Sequence, residues 1–349
     1  MRLGLDLSHP TTVQMLERNL DLAVAAEGLG YDIAWVAEAY GADTVSILGA
    51  LTTRTETLGI GAGVMQIPGR TPALTAMTAA TLDALSHGRF HLGLGVSGPQ
   101  VSEGWHGVPF ADPLGRTREY VAIVRDGIAR KRVAADGRHF TLPLTGGQGK
   151  SLVLSLQSVR TQIPIYLAAV GPKNLELAAE IADGWLGIFV DASSPEQVQR
   201  VQAALDAAGR DRACFDINVG MAASVDDNLE RAADRVRPYA ALYIGGMGSK
   251  ETNFYHRIAA ALGYQKEADQ VQERFMARDY AGAGAAVPTE FLDRVALLGD
   301  EARIGAKLRA LSDAGVTTVS VHPFTDAPAG QHDTLATVVA AARTAGVHV

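Results

Sequence analysis

The stretch IPIYLAAVGPKNLELAAEIADGWLGIFV, Ile163–Val190, holds two apolar runs separated by a Gly-Pro-Lys corner and an Ala/Leu-rich segment. The runs have the length and composition of buried strands, and the middle has the composition of a helix. A strand that turns at once into a helix and returns as a strand is a βαβ unit, which demands a parallel sheet. The same alternation recurs along the whole chain. Apolar runs begin at Arg2, Asp32, Thr57, Arg89, Ile163, Gly184, Cys214 and Thr317, and each precedes a helical pattern. Eight such units predict a closed (β/α)8 barrel, an α/β TIM barrel, rather than an open sheet. The chain has 349 residues and no composition break that signals a second core, so one domain over 1–349 is expected. Its insertions, after strands 4 and 7, fall at about 96–112, 131–162 and 245–300. The segment Arg132–Leu142 reads as a hairpin with an Asp-Gly turn.

Composition narrows the function classes. Apolar residues make up 47% and charged residues 20%, which fits a folded globular chain rather than a disordered one. A net charge of -7 disfavours nucleic acid as a partner, because phosphate contacts rest on Lys and Arg. The single cysteine, Cys214, rules out an internal disulfide and a Cys-rich zinc site, and its apolar neighbours predict an inert buried thiol. The start MRLGLDLS reads as a first strand rather than a signal peptide, and no apolar run is long enough to span a bilayer, so a cytoplasmic location without membrane contact is expected. No H-E-x-x-H, H-x-H or spaced carboxylate pair supports a metal site, and no G-x-S-x-G supports a serine hydrolase.

In a (β/α)8 barrel the chemistry sits at the C-terminal ends of the strands. Those ends carry Asp6 and Ser8 after strand 1, Glu38 after strand 2, GAGVMQIPGRTP (Gly61–Pro72) after strand 3, Ser97 and Gly98 after strand 4, Gly171–Asn174 after strand 5 and His322 after strand 8. Gly171–Lys173 is the clearest element. Pro172 suits the first helical position, Gly171 leaves room for an oxyanion, and the helix N-terminus with Lys173 favours negative charge. GLGVSG, Gly93–Gly98, matches a dinucleotide fingerprint, but Pro99 follows directly, no helix is expected there, and three βα units already precede it. His322 before Pro323 reads as structural.

These residues resemble the luciferase-like monooxygenase superfamily. The resemblance is carried by TPALTAMTAATLD, GRFHLGLGVSGPQVSEGWHGVPF and GPKNLELAAEIADGW, and covers nearly the whole chain. Within the superfamily the chain is most similar to the coenzyme F420-dependent oxidoreductase branch, that of methylenetetrahydromethanopterin reductase. The resemblance implies a deazaflavin, F420, in the barrel mouth, with FMN as the alternative, and hydride transfer to or from a small-molecule substrate. A flavin-dependent monooxygenase and a non-catalytic flavin-binding barrel are the rival readings. It implies that Gly63–Val64 is a non-prolyl cis peptide backing the ring, that Ser97 and Gly98 face the ring and tail, and that Ala169, Val170 and Gly171 donate to the cofactor phosphate. Asp6 and Lys173 complete the expected cofactor contacts. Glu38 lies beside the ring on this reading, and Glu38, Glu103 and His106 are the candidate acids and bases. The long segment Gly245–Asp279 is expected either to cover the mouth, with Lys250 and Arg257 near an acidic cofactor tail, or to form a dimer contact or plain surface. A homodimer is expected by the same resemblance.

Overall fold

A computed structural model describes residues 1–157, 159–248 and 253–347. Eight strands form the barrel: β1 (Arg2–Asp6), β2 (Ile33–Val36), β3 (Gly59–Ala62), β4 (Phe90–Gly95), β5 (Ile165–Ala168), β6 (Gly184–Ile188), β7 (Asp216–Val225) and β8 (Thr318–Pro323). All neighbours pair in parallel, and β8 closes on β1 through Thr318 opposite Arg2. The barrel order places β1 across the mouth from β5, and β3 across from β7.

The apolar runs became strands because both faces are covered, inward by the barrel core and outward by helices. Leu3, Leu5, Ile60, Leu92, Ile165 and Val319 are all almost fully buried. Several helices begin where a Thr, Asp or Asn side chain caps the first turn. Thr12 accepts from Met15 N, Asp43 from Ser46 N, Thr71 from Leu74 N and Asn228 from Arg231 N. Such caps supply acceptors for N–H groups that the helix itself cannot satisfy. Glycines let β4 approach β3. A Cβ on Gly93 would run into the Ala62 carbonyl, and one on Gly95 would sit 2.6 Å from Val64 Cγ2. The GLG of the dinucleotide-like motif is therefore a packing device.

Four expectations are corrected. The strand of the seventh unit starts at Asp216, after a short helical turn at Arg212–Cys214, so Cys214 stays outside the sheet and is exposed. The outer half of β7 pairs with an extra parallel strand, Ala296–Gly299, followed by the helix Glu301–Asp313. This ninth βα unit hid in the long excursion because its strand is four residues long. It enters the sheet beside the end of β7. A short helix, Pro99–Gly104, does open directly after β4, with Pro99 in its first turn. In the hairpin Asp136 pairs with Thr141, so four residues make the turn rather than an Asp-Gly pair alone.

The excursion packs as a second buried cluster. Val236, Ile244, Ile258, Val271, Phe291 and Leu298 gather on Phe189 and Ala222 at the outer ends of β6 and β7. This cluster fixes the wall that overhangs the mouth on that side. Among the described residues no helix is long and apolar enough to cross a membrane, and no group of His, Cys, Asp and Glu is arranged to hold a metal ion.

Candidate active site

A cavity of about 810 Å3 opens at the C-terminal mouth of the barrel. That is within the range of small-molecule and cofactor sites, and its position is where such barrels do chemistry. The ends of β1 to β6 contribute to the lining, and β7 and β8 contribute Asn218, Gly220 and Ser320 from within the barrel.

The rim after β5 is built by the stretch quoted at the outset. Trp185, buried at the start of β6, donates its indole N–H to the Ala169 carbonyl at 2.9 Å and pins the turn. The helix Pro172–Ile181 then starts at Gly171 with no side-chain cap. Its first N–H groups, the positive end of the helix dipole and Lys173 share this rim, and Ala169, Val170, Gly171 and Lys173 all line the cavity. A Cβ on Gly171 would meet nothing within 4 Å, so the space in front of it belongs to the cavity.

The wall after β3 is the Gly63–Val64 step, whose peptide bond is cis. Both residues line the cavity. Glu38 holds this wall in place. Its N–H donates to the Val64 carbonyl at 3.1 Å, and its carboxylate accepts from Gln66 N at 3.0 Å and from Arg70 at 2.7 Å. Arg70 also reaches Asp43 at 2.7 Å. Glu38 lines the cavity, yet its carboxylate is committed to the protein, which makes it a positioning residue.

The other two acid–base candidates do not reach the cavity. Glu103 accepts from Phe110 N at 3.0 Å and closes the loop after the Pro99–Gly104 helix. His106 Nε2 lies 2.8 Å from Gln66 Oε1, behind the wall. Neither is among the lining residues. Ser97 and Gly98 do line it, and Ser97 holds a left-handed φ of 60°, an uncommon conformation for a non-glycine residue. Lys250 lies outside the described residues. Arg257 is exposed, with its guanidinium 5.9 Å from the ring of Phe254, which lines the cavity.

The rim after β1, opposite Lys173, holds Asp6 and Ser8, which the sequence placed there, with His9, Tyr243 and Tyr255, which sequence reasoning missed. Asp6, Ser8 and His9 line the cavity there, and Tyr243, just before the excursion, and Tyr255, within it, line the same cavity. Asp6 accepts from Ser8 N at 2.7 Å, and His322 Nδ1 stands 3.8 Å from its other oxygen. Burial pushes the Asp6 carboxyl up, but His322 and the Ser8 N–H outweigh it and hold the group below the ordinary carboxylate range. Burial lowers the His9 imidazole below its usual value, with Asp6 opposing and His322 adding to the effect. His9 Nδ1 lies 3.4 Å from Ser8 Oγ. Desolvation drives the Tyr255 hydroxyl up to about 12 and that of Tyr243 higher still. His9 stands three residues past Asp6, but nothing in the loop sequence marks it out from the other histidines. The tyrosines are more than 230 positions away and only the fold brings them in.

The floor, inside the barrel, carries Trp35, Leu186, Asn218 and Ser320. Ser320 Oγ donates to Asn218 Oδ1 at 2.8 Å. Asn218 Nδ2 and Trp35 Nε1 are buried and have no acceptor in the protein.

The comparisons agree with this architecture. The family model for luciferase-like monooxygenases matches residues 2–318. A Mycobacterium tuberculosis protein, named provisionally as a coenzyme F420-dependent oxidoreductase, is 40% identical over 92% of this chain and 94% of its own length. The 5,10-methylenetetrahydromethanopterin reductase of Archaeoglobus fulgidus is 31% identical over 91% of this chain and 92% of its own. Among solved structures, the coenzyme F420-dependent tetrahydromethanopterin reductase of Methanopyrus kandleri superposes with a TM-score of 0.82 at 23% identity, covering 97% of each chain, and shares the fold. The chain belongs to the luciferase-like monooxygenase family.

Proposed function

We propose that this protein is an F420-dependent oxidoreductase acting on a small organic molecule. The observation that carries the proposal is the meeting, in one cavity, of a backbone wall at Gly63–Val64 and an uncapped helix N-terminus beside Lys173. A flat ring needs the first and a phosphodiester needs the second. The names of the relatives point the same way.

The residues present fit such a cofactor. Gly171 leaves a cradle open to the cavity, at the uncapped start of the helix and beside Lys173. On this reading Ala169, Val170, Gly171 and Lys173 hold the phosphate, Gly63 and Val64 back the ring, and Ser97 and Gly98 border it. When bound, the deazaflavin supplies a carbon centre that gives or takes a hydride.

The chain's own part is to bind, orient and move a proton. Glu38 and Arg70 keep the wall rigid. The largely apolar cavity keeps water away, which strengthens every polar contact within it. Of the lining side chains, Asp6 is held ionised and Glu38 is ion-paired, whereas His9 is neutral near pH 7 and borders the cavity opposite the phosphate cradle. We place proton exchange with the substrate at His9, with the Tyr243 and Tyr255 hydroxyls lining the same cavity. Fluorescence titration of the purified protein with F420, and a second titration with FMN, tests the assignment. Tight F420 binding supports it, and FMN binding in preference to F420 overturns it.

A further inference from the structure

The Gly63–Val64 wall stands after β3, and the barrel order sets β7 across from it. That opposite side of the cavity, from β6 round towards β1, is aromatic. Tyr243, Phe254 and Tyr255 line the cavity there, and each keeps exposed surface. Phe189, directly after β6, is 4% exposed and packs behind the two tyrosines at ring distances of 5.6 and 6.0 Å. The tyrosine rings themselves meet edge to face, 4.8 Å apart at 84°, a favoured aromatic geometry. They come from separate turns. Tyr243 sits in a π-helical turn, Leu242–Gly246, a local form common at functional sites. Tyr255 sits in the first turn of the short helix Phe254–Ala259. Buried Asn253 ties the two turns together. Its Nδ2 donates to the Tyr243 and Ile244 carbonyls at 2.9 and 2.8 Å, and its Oδ1 accepts from Tyr255 N and His256 N at 2.9 and 3.1 Å. All four partners are backbone groups. Carbonyls only accept and N–H groups only donate, so this amide has one orientation. Burial keeps both phenols protonated at neutral pH, so the tyrosine pair adds no charge to the wall.

We propose that Tyr243, Phe254 and Tyr255 select a substrate with a flat, conjugated body, held between this wall and the deazaflavin face that points away from Gly63–Val64. This rests on the cofactor reading above. A ring backed by Gly63–Val64 has one face left open, and that face looks towards the aromatic side. A conjugated body in the gap stacks on the cofactor with one face and meets aromatic faces and edges with the other. A puckered, saturated body touches each side with fewer atoms. Asn253 touches no ligand and is a positioning residue, since it sets Tyr243 against Tyr255. The arrangement separates the tasks of the site: the barrel strands and the rim after β5 hold the cofactor, and the segment that follows the helix after β7 chooses the substrate.

The test uses the protein loaded with oxidised F420 and two probes of one carbon skeleton, flat 2-acetylnaphthalene and puckered 2-acetyldecalin. Affinity is read by calorimetric titration, and closeness to the ring by quenching of F420 fluorescence. The saturated probe is the more hydrophobic, so apolar burial alone favours it. The flat probe is nevertheless expected to bind about tenfold more tightly and to quench. Tyr255→Leu is expected to remove most of this preference while F420 affinity is unchanged, and Tyr255→Phe, which keeps the ring, to preserve it. Asn253→Ala is expected to weaken the flat probe and leave F420 affinity unchanged, whereas a residue that only supports the fold would lower both. Circular dichroism checks that each variant is folded, and Tyr255→Leu carries the test where Asn253→Ala folds poorly. If the loaded wild-type protein does not prefer the flat probe, or if folded Tyr255→Leu keeps the preference, the wall is packing alone and the proposal is overturned. If the wild-type protein takes up no F420, the cofactor reading fails, and this proposal with it.

Discussion

Gly171 and His9 sit on opposite rims of the mouth and allow the two halves of the account to be separated. Gly171 has φ of -77°, which any residue adopts, and a Cβ there meets no protein atom within 4 Å. Gly171→Val should therefore leave the melting temperature unchanged while a branched side chain blocks the anion cradle. F420 affinity is expected to fall at least tenfold in a fluorescence titration, and an unchanged affinity would remove this turn from the site. His9→Ala should do the reverse. Loss of a proton-transfer group costs roughly 100-fold or more in rate, whereas the cofactor cradle lies across the barrel. The expected result is turnover reduced about 100-fold with the F420 dissociation constant unchanged. Retained turnover would place the proton step elsewhere. Both roles differ in how visible they were. Gly-Pro-Lys at the end of an apolar run declares its own geometry, because backbone and helix dipole do the work. A histidine in a loop declares nothing until burial and the partners from β8 and the excursion are in place.

The wall after β3 shows what an element's sequence conceals. Glu38 stood out as an acid at a strand end, and its position in the mouth was legible. Its role was not, because that depends on Arg70 and Gln66, some 30 residues on. Charge-assisted hydrogen bonds of this kind are stronger than neutral ones. Both side chains of the Glu38–Arg70 pair are little exposed, at 12% and 13%. Glu38→Gln should keep an acceptor for Gln66 N but lose the charge. The expected loss of stability in urea unfolding is about 1–3 kcal/mol, with a weakening of F420 binding. A variant as stable as the wild type would show that the ion pair does not hold the wall. Glu103 and His106 teach the same lesson. They are titratable residues in a loop beside the mouth, yet the short helix opening at Pro99 directs one into a loop contact and the other behind Gln66. The extra strand Ala296–Gly299 was missed for another reason, since four apolar residues amid helices give no periodicity to recognise.

At the scale of the whole molecule the barrel was the most legible feature, because eight repeats of one pattern reinforce each other where a single unit is ambiguous. What the pattern could not give is the contents of the barrel interior. His91 lies there with Trp35 and Tyr166, at ring distances of 6.1 and 5.7 Å, and desolvation, aided by Arg160 and Arg2, lowers its pKa to about 4. In the unfolded chain the same imidazole titrates near pH ~6.5. The folded state thus binds fewer protons between these values, and stability from this group is complete above pH ~6.5 and is lost as pH falls towards 4. The difference corresponds to about 3 kcal/mol. Urea unfolding at pH 7 and pH 4.5 should show His91→Phe losing less stability on acidification than the wild type. Equal losses would mean that His91 is not held neutral.

The central claim, that the mouth is built for a deazaflavin with an anionic tail, is tested most directly by titrating the purified protein with F420 and with FMN side by side and following oxygen uptake with each reduced cofactor. The account predicts tighter binding of F420, and F420H2 consumption that requires an organic acceptor rather than oxygen. Tighter binding of FMN, with oxygen uptake coupled to hydroxylation of a product, would contradict it.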